Sequence, residues 1–460
     1  MSGETFTQLH IGLGSFHRAH QAMYMQKLHE AGDQRWQIIA GNIRADGVQI
    51  IDALQAQNGE YVLETVTPEG ERSYHRVTSI RQVVPFDEQL SGLAKVAADP
   101  ATRIISFTVT EAGYYLDSRL RLDPDSYPDL RADMENGSCR TLYGAMTRLL
   151  HARMSADAGP VTFLNCDNLR SNGDRFASGF RQFLQARGED AVIAWIDANT
   201  SAPNAMVDRI APRPPAELRE RVRAATGFDD GAPVMSESFL QWVIEDEFVA
   251  GRPAWEKVGV ELVSDVGPYE EAKIRLLNAT HSCFAWAGTL RGYSFIHEGV
   301  RDAEIRQMAY DYVTDNAIPC LEGNPLDLPA YRDTVLARFG NPEIKDTNGR
   351  VAMDAYAKIP GMILPTIRES LQKGLPVDAV AMLPALFLAF ILREQQGGIP
   401  YPYEDQAMDP ASPAAIAAAA DPVAAICAEK VLFEELAGDE RLLDGLRRAY
   451  RRVEAFIAAS

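Results

Sequence analysis

The chain has 460 residues, of which 46% are hydrophobic and 24% charged, and its formal net charge is −19. This length and composition allow two ordinary cores, and the acidic balance argues against nucleic acid or an anionic membrane as a partner. Because the sequence shows neither a basic stretch followed by an apolar one at its start nor a run of 18 apolar residues, we expect a cytoplasmic protein without a membrane span. We also expect a monomer.

The first predicted element is a strand at Gln8–Ile11 that runs directly into a glycine turn and a helix, in the sequence GLGSFHRAH. Gly12 permits a tight turn, and Gly14 lets the backbone approach a pyrophosphate. His17 takes the place of the third glycine, so the motif is G-x-G-x-x-H. The turn predicts a dinucleotide site that includes Gly12, Gly14, Ser15, Phe16 and His17.

A second strand is predicted at Trp36–Ala40, and the sequence GNIRAD follows it. Asp46 then lies where a dinucleotide site has an acceptor for a ribose hydroxyl. Its carboxylate would repel a 2′-phosphate and therefore favours NAD over NADP, although the neighbouring Arg44 could bind such a phosphate. We expect both side chains to contact the cofactor.

Further apolar strands alternate with helices, which is typical of a parallel sheet covered on both faces. They are predicted at Tyr61–Val66, Ser79–Val84, Ile104–Val109 and Val161–Leu164. Polar residues follow two of these strands, at Thr110 and Glu111 and at Asn165–Asn168. Because ligands bind at the carboxyl ends of parallel strands, these residues should line the cofactor crevice. The alternative is ordinary turn chemistry.

Beyond about residue 266 the strand signal fades and long helical patterns replace it. The sequence therefore predicts an α/β chain, with an N-terminal Rossmann-type dinucleotide-binding domain at 1–265 and a mainly α-helical substrate and catalytic domain at 266–460.

The segment Pro268–Gly288 is predicted to be an active-site helix. At 100° per residue, His281 lies about 80° and Asn278 about 140° from Lys273, so all three can face one cleft. Burial among apolar neighbours would lower the pKa of the lysine and make it a base. Glu270, one turn earlier, could pass the proton on to solvent. The alternatives are a surface lysine beside core residues and a glutamate that only stabilises the helix start.

Several sequence motifs occur in the same order as in a known family: GLGSFHRAH, DN at 167–168, PNAMVDRI, RPAWEKVGV and K-x4-N-x2-H. On these motifs the whole chain resembles the polyol-specific long-chain dehydrogenases, the mannitol 2-dehydrogenase family. The resemblance implies NAD-dependent oxidation of a secondary alcohol to a 2-ketose without zinc. Within the family the sequence of these motifs favours D-arabinitol as the substrate and D-xylulose as the product, with mannitol and fructose as the alternative pair.

The resemblance also implies roles for individual residues. Lys273 would be the general base, Asn278 and Asn168 would hold the reacting oxygen, and His281 would contact the substrate. Residues that bind the other substrate hydroxyls would be Asp208, Arg350 and Lys358.

A metal site is not expected, because the five cysteines are widely separated without a C-x-x-C pair and His17 with His20 lacks companion ligands. Two further functions stay open at this point: a related hexuronate reductase, and a dinucleotide sensor that has lost catalysis. The net charge of −19 disfavours an anionic substrate, and a sensor would not need a base beside two amide donors.

Overall fold

The computed structural model describes residues 4–117 and 119–459. The chain forms two compact units: one contains the residues up to Thr67 together with Glu71–Gly267, and the other contains Pro68–Gly70 and the chain from Pro268 onward. Within the described residues, no helix is both long enough and apolar enough to cross a membrane.

The first unit contains all the strands among the described residues. They are β1 (Phe6–Ile11), β2 (Trp36–Gly41), β3 (Tyr61–Val66), β4 (Arg72–Val77), β5 (Ile80–Val84), β6 (Thr102–Phe107), β7 (Val161–Asn165), β8 (Thr200–Ser201), β9 (Ala205–Asp208), β10 (Val234–Glu237), β11 (Gln241–Glu245) and β12 (Glu261–Val263). The main sheet has six parallel strands in the order β5-β2-β1-β6-β7-β8. The order reverses between β1 and β6, which is where ligands bind in such sheets.

Helices accompany these strands. They are α1 (Ser15–Ala19), α2 (Gln21–Glu30), α3 (Val48–Ala56), α4 (Ser91–Ala97), α5 (Pro128–Asn136), α6 (Leu142–Ser155), α7 (Asn172–Arg187), α8 (Asp190–Asn199) and α9 (Leu218–Thr226), with short 3-10 helices at Glu111–Tyr114 and Trp255–Val258. Successive residues of one strand enter different cores: Ile104 packs in one apolar cluster and Ile105 in another. The sheet is thus buried on both faces, as its apolar strands predict.

One predicted strand lies outside the parallel sheet. The segment Tyr61–Val66 pairs antiparallel with β4 and parallel with β10, and so forms a separate three-stranded sheet. The connection between β3 and β4 is too short for a crossover helix, and a short connection joins antiparallel strands. The expectation that all the early strands share one parallel sheet was therefore wrong for β3.

The second unit is helical, and the predicted α/β class with a helical C-terminal domain is confirmed. Its helices are α10 (Gly267–Ala272), α11 (Ala279–Leu290), α12 (Ile296–Arg301), α13 (Ala303–Asp311), α14 (Ile318–Cys320), α15 (Leu328–Phe339), α16 (Asn348–Ala352), α17 (Ala355–Lys358), α18 (Leu364–Lys373), α19 (Asp378–Gln395), α20 (Ser412–Ala418), α21 (Pro422–Cys427), α22 (Lys430–Phe433) and α23 (Glu440–Ala458). A 3-10 helix occupies Glu434–Leu436, and three π-helical segments lie at Lys273–Asn278, Tyr312–Ala317 and Ile359–Ile363.

Two buried histidines stack beneath the turn that joins β1 to α1. The rings of His10 and His17 lie parallel with centroids 3.4 Å apart. His10 contacts the Ser106 hydroxyl and the Gly12 carbonyl, whereas neither ring nitrogen of His17 has a hydrogen-bond partner of good geometry among the described residues. Burial lowers the pKa of His10 to about 3. Burial, together with the nearby His10, also holds the pKa of His17 well below its usual value.

We expect this pair to make the protein less stable in acid. Both imidazoles are neutral when folded and take up protons when unfolded at a pH below about 6.5, so stability is lost as the pH falls below that value. As the pH falls from 6 to 5, proton uptake by each unfolded-state histidine should reduce the free energy of unfolding by about 1 kcal/mol. In His17→Phe, which keeps an aromatic ring without a proton site, the slope should be shallower by about that amount.

Urea unfolding of both proteins at several pH values from 5 to 7 measures this slope. His151→Phe, at an exposed position on α6, reports what the same exchange does at the surface. Parallel stability curves for His17→Phe and the unmodified protein would contradict the prediction.

Candidate active site

A crevice of about 1540 Å³ opens in the first unit at the carboxyl ends of β1 and β6. Its wall is formed by the glycine turn, the residues after β2, and the loops after β6 and β7. The predicted cofactor residues that line it are Gly12, Gly14, Ser15, Phe16, Arg44, Asp46 and Thr110, and Asn168 lines it as well. Glu111 begins a 3-10 helix nearby, and its side chain lies outside the described residues.

The glycine turn has the shape that a dinucleotide requires. Gly12 has φ +101°, and a Cβ there would lie 2.1 Å from the Thr108 carbonyl oxygen, so only glycine fits. A Cβ on Gly14 would meet no atom closer than the Gly12 carbonyl oxygen at 4.0 Å. The backbone at Gly14 thus borders open space in the crevice wall, where a pyrophosphate could approach it.

The structure does not bring His17 into the crevice. Its side chain is fully buried and stacks on His10 below the turn. The imidazole thus lies below the crevice wall, and a cofactor contact by His17 stays a prediction. His17, at the third position of the motif, faces the core. Its imidazole ring packs there on His10, whereas a glycine would have no side chain to pack.

The two charged residues after β2 have different surroundings. The Arg44 guanidinium donates to the Tyr115 hydroxyl at 2.8 Å and to the Arg140 carbonyl, and it lies 3.4 Å from the Asp129 carboxylate. Asp46 is exposed on the crevice wall. An arginine held by a neighbouring acid attracts a phosphate less than an unpaired one does.

The loop after β6 is organised by Asp167, whose carboxylate accepts hydrogen bonds from the backbone N–H groups of Val109 and Thr110 and from the Tyr114 hydroxyl. Asp167 is buried, and Thr110 has φ +66°, a strained value for a residue with a Cβ. The motif DN therefore has two parts, because Asp167 holds the loop and Asn168 lines the crevice. Sequence reasoning did not assign the first part.

In the second unit, α10, a π-helical segment and α11 form one continuous helix, Gly267–Leu290. The π segment is Lys273–Asn278, and at its end the Ala279 N–H donates to the Ile274 carbonyl, five residues back. The predicted angle of about 140° between Lys273 and Asn278 assumed a uniform α-helix and is wrong. With i to i+5 hydrogen bonds, residues five apart take the one-turn relation that i and i+4 have in an α-helix, so this lysine and asparagine become neighbours.

Two buried contacts support the widened turn. The Tyr312 hydroxyl donates to the Arg275 carbonyl at 2.9 Å, in the middle of the π segment. The Arg275 guanidinium donates to Glu271 at 2.8 Å and to both carboxylate oxygens of Glu369 at 2.7 and 2.8 Å. Burial alone would lower the pKa of Arg275, but the two carboxylates raise it above its usual value. Lys273 is also buried, with 6% of its surface exposed.

His281 lies on the next turn, beside the residues predicted to bind substrate hydroxyls. Its Nε2 atom is 3.2 Å from Asp346 Oδ2, and the same carboxylate accepts two hydrogen bonds from Arg350. Burial lowers the pKa of His281, and the positive charges of Arg350 and Lys358 lower it further. The Lys358 ammonium donates to the Val351 carbonyl at 2.6 Å. The structure therefore groups His281 and Arg350 around Asp346, and Lys358 is near enough to His281 for its charge to lower the pKa of that imidazole.

The remaining predicted residues lie on ordered elements. Glu270 is buried on α10, one turn before Lys273. Asp208 ends β9 in the first unit and is 3% exposed. Its neighbour Arg209 donates to the carbonyls of Ala19 and Glu237, so the guanidinium has backbone partners.

Comparisons with known proteins show the family. The family model for the mannitol dehydrogenase Rossmann domain matches residues 7–257, and the model for the mannitol dehydrogenase C-terminal domain matches residues 265–454. The chain is 56% identical to the D-arabinitol 4-dehydrogenase of Ralstonia nicotianae, over 98% of this chain and 97% of that protein. It is 53% identical to the D-arabinitol 4-dehydrogenase of Klebsiella pneumoniae, over 98% of this chain and 99% of that protein.

Solved structures give the same result. The mannitol 2-dehydrogenase of Pseudomonas fluorescens, in ternary complex with NAD and D-mannitol, matches with a TM-score of 0.83 and 31% identity, covering 100% of this chain and 94% of that one. A D-sorbitol dehydrogenase in substrate-free form matches with a TM-score of 0.89 and 30% identity, covering 99% of this chain and 95% of that one.

Across residues 4–117 and 119–459, no three His, Cys, Asp or Glu side chains are grouped so as to hold a metal ion.

Proposed function

The chain belongs to the mannitol dehydrogenase family of polyol oxidoreductases, and from this premise we propose that it oxidises D-arabinitol to D-xylulose with NAD. The observation that carries the proposal is the π turn, which makes a buried lysine and an asparagine neighbours on one helix. The high identity to two D-arabinitol 4-dehydrogenases supports the choice of a five-carbon polyol.

In this proposal Lys273 is the general base. When NAD is bound, its nicotinamide accepts a hydride from the alcohol carbon. The hydroxyl proton must leave at about the same time, and the buried Lys273 can accept it when its amine is neutral. The Asn278 amide donates to the oxygen that loses the proton, as a donor of an oxyanion hole does. Asn168, on the crevice wall of the first unit, keeps the role that the family resemblance gives it, as a second amide donor.

The other polar residues select the polyol. A linear polyol carries a hydroxyl on each carbon, and a buried hydroxyl without a partner costs more than a matched one gains. His281, Arg350 and Lys358 would bind hydroxyls beyond the reacting carbon, and we assign Asp208 the same task. A fixed set of donors and acceptors then favours one stereochemistry.

The cofactor would be held by the glycine turn and the residue beyond β2. The backbone at Gly12 and Gly14 would face the pyrophosphate. Asp46 would accept from the ribose hydroxyls, and its negative charge favours NAD. Ser15, Phe16 and Thr110 complete the wall on that side.

A substrate panel tests the proposed reaction. The purified chain is incubated with NAD and each of D-arabinitol, mannitol, sorbitol and xylitol, and NADH formation is followed at 340 nm. We expect the highest kcat/KM with D-arabinitol, and D-xylulose as the product.

Other results would point to the alternatives. Preference for mannitol would assign the chain to mannitol and fructose, NADH-dependent reduction of tagaturonate or fructuronate alone would make it a hexuronate reductase, and cofactor binding without turnover would make it a sensor. Each of these outcomes would contradict the proposed substrate.

Replacing the base should remove chemistry and spare cofactor binding. Lys273→Ala is expected to lower kcat by at least about 100-fold, because a positioned base contributes roughly 10²–10⁴-fold. Its Kd for NADH, measured by fluorescence titration, should change little. Lys430→Ala, which removes an exposed lysine from α22, is the control. A Lys273→Ala kcat within threefold of the unmodified value from pH 7 to 10 would contradict the assignment.

Pre-steady-state kinetics distinguish the role of Glu270 from that of Lys273. We propose that Glu270 receives the proton from Lys273 and passes it to solvent, a step that follows hydride transfer. Glu270→Ala should therefore show a rapid burst of NADH in stopped-flow mixing and then a slow steady state, whereas Lys273→Ala should show no burst. Normal steady-state rates in both reaction directions for Glu270→Ala would exclude this role.

Removing the carboxylate beyond β2 should weaken the preference for NAD. Asp46→Ala is expected to reduce the ratio of kcat/KM for NAD to that for NADP by about 10-fold, the effect of roughly 1.4 kcal/mol of lost hydrogen bonding and repulsion. Asp52→Ala, at an exposed position on α3, is the control. An Asp46→Ala ratio equal to that of the control would show that the ribose does not lie beside this residue.

A further inference from the structure

A buried carboxylate joins two of the residues that we assign to substrate binding. Asp346 precedes α16, and only 10% of its side chain is exposed. Its Oδ2 lies 3.2 Å from His281 Nε2 and 2.6 Å from the Arg350 Nη2 donor, and its Oδ1 accepts from Arg350 Nε at 2.8 Å. Phe339 stacks on the His281 ring with centroids 4.4 Å apart, which restricts rotation of that ring.

The protonation of these groups follows from their surroundings. Burial alone would raise the pKa of Asp346, but the contacts with His281 and Arg350 hold it below its usual value. The carboxylate is therefore ionised near neutral pH and can only accept hydrogen bonds. Burial also lowers the pKa of His281, so its imidazole is neutral and carries one N–H.

The position of that single hydrogen is the deciding point. Nε2 of His281 is buried and makes no hydrogen bond of good geometry with any described residue, so its 3.2 Å contact with Asp346 Oδ2 is an ion-pair distance and not an aligned hydrogen bond. The Asp346 carboxylate nevertheless faces this nitrogen, and a bare nitrogen lone pair there would be repelled. The hydrogen thus belongs on Nε2, which leaves Nδ1 as an acceptor.

We propose that Asp346 is a positioning residue for polyol selection, which holds His281 as the Nε2–H tautomer and orients Arg350. His281 then presents an acceptor, through Nδ1, to one substrate hydroxyl, and Arg350 presents only donors. The inference rests on the proposed function, since it takes the substrate to be a polyol. In an epimer that carries this hydroxyl on the opposite side, the acceptor of His281 or the donors of Arg350 would lack a partner. Unpaired buried polar groups discriminate between substrates more strongly than a difference in apolar contact does.

The tautomer can be measured directly. The unmodified protein is labelled with ¹⁵N-histidine, and two-dimensional ¹H–¹⁵N spectra recorded at pH 7.5 distinguish protonated from bare ring nitrogens. His281→Gln identifies the signals of His281 among the eight histidines. We expect a protonated Nε2 and a bare Nδ1. A protonated Nδ1 with a bare Nε2 would overturn the proposal, and this measurement requires neither substrate nor turnover.

The effect on selectivity is tested with Asp346→Ala. Its kcat/KM for the preferred polyol should fall by roughly 10- to 100-fold, the loss expected when a buried hydrogen-bond partner is removed, and KM should change more than kcat. The ratio of kcat/KM between that polyol and its epimers should shrink by about 10-fold. This ratio does not depend on the fraction of folded enzyme, so a purely structural role would leave it unchanged.

Asp333→Ala is the matched control, because Asp333 is an exposed aspartate that pairs with Arg332 in the same unit. It should keep the tautomer and the epimer ratio of the unmodified protein. An unchanged epimer ratio in Asp346→Ala would overturn the proposal even if overall activity fell. If no polyol is oxidised by the unmodified protein, the proposed function fails, and the tautomer measurement alone decides the role of Asp346.

Discussion

The wide turn at Lys273–Asn278 is the constraint on which the chemistry that we propose for the helical unit depends. A regular α-helix would point the lysine and the asparagine in different directions, whereas the i to i+5 hydrogen bonds bring them one turn apart. π segments are rare because their backbone geometry is unfavourable, so contacts outside the segment must hold this one. The Tyr312 hydroxyl donates a hydrogen bond to the Arg275 carbonyl within the segment, and the Arg275 guanidinium donates to Glu369.

The first unit uses a comparable device at its crevice. Thr110 adopts a backbone conformation that few residues with a Cβ accept, and the Asp167 carboxylate holds it there through two backbone N–H groups. Gly12 lies so close to the Thr108 carbonyl that no Cβ fits between the glycine turn and the loop after β6. In both units, an unusual backbone conformation at the proposed site residues is held by a hydrogen bond from a buried hydroxyl or to a buried carboxylate.

The features that the sequence predicts well are those encoded by neighbouring residues. The glycine turn, the acid after the second strand and the apolar strands can be identified from short patterns, and their expected positions agree with the structure. The pairing of Tyr61–Val66 could not be predicted in this way, because its partner β10 lies far along the chain. The π turn could not be predicted either, since the residue types do not show whether an N–H donates to the carbonyl four or five residues back. Asp346 was missed because nothing near it in sequence indicates that it meets His281.

The buried ion pairs of Arg275 also bear on how the substrate range of this chain could be altered. Arg275 stands two residues after the proposed base, and one of its partners, Glu369, lies 94 positions away on another helix. Exchanges of Arg275 would remove a buried cation and leave the partly buried carboxylates of Glu271 and Glu369 without it, so variants here would lose stability whatever their specificity. Arg350 has two-thirds of its side chain exposed, but it pairs with the Asp346 carboxylate, of which only 10% is exposed, so the two residues are best varied together. A mutagenesis library that varies Arg350 with Asp346 and keeps Arg275 and Glu369 would sample new polyols while the ion pairs of Arg275 stay intact.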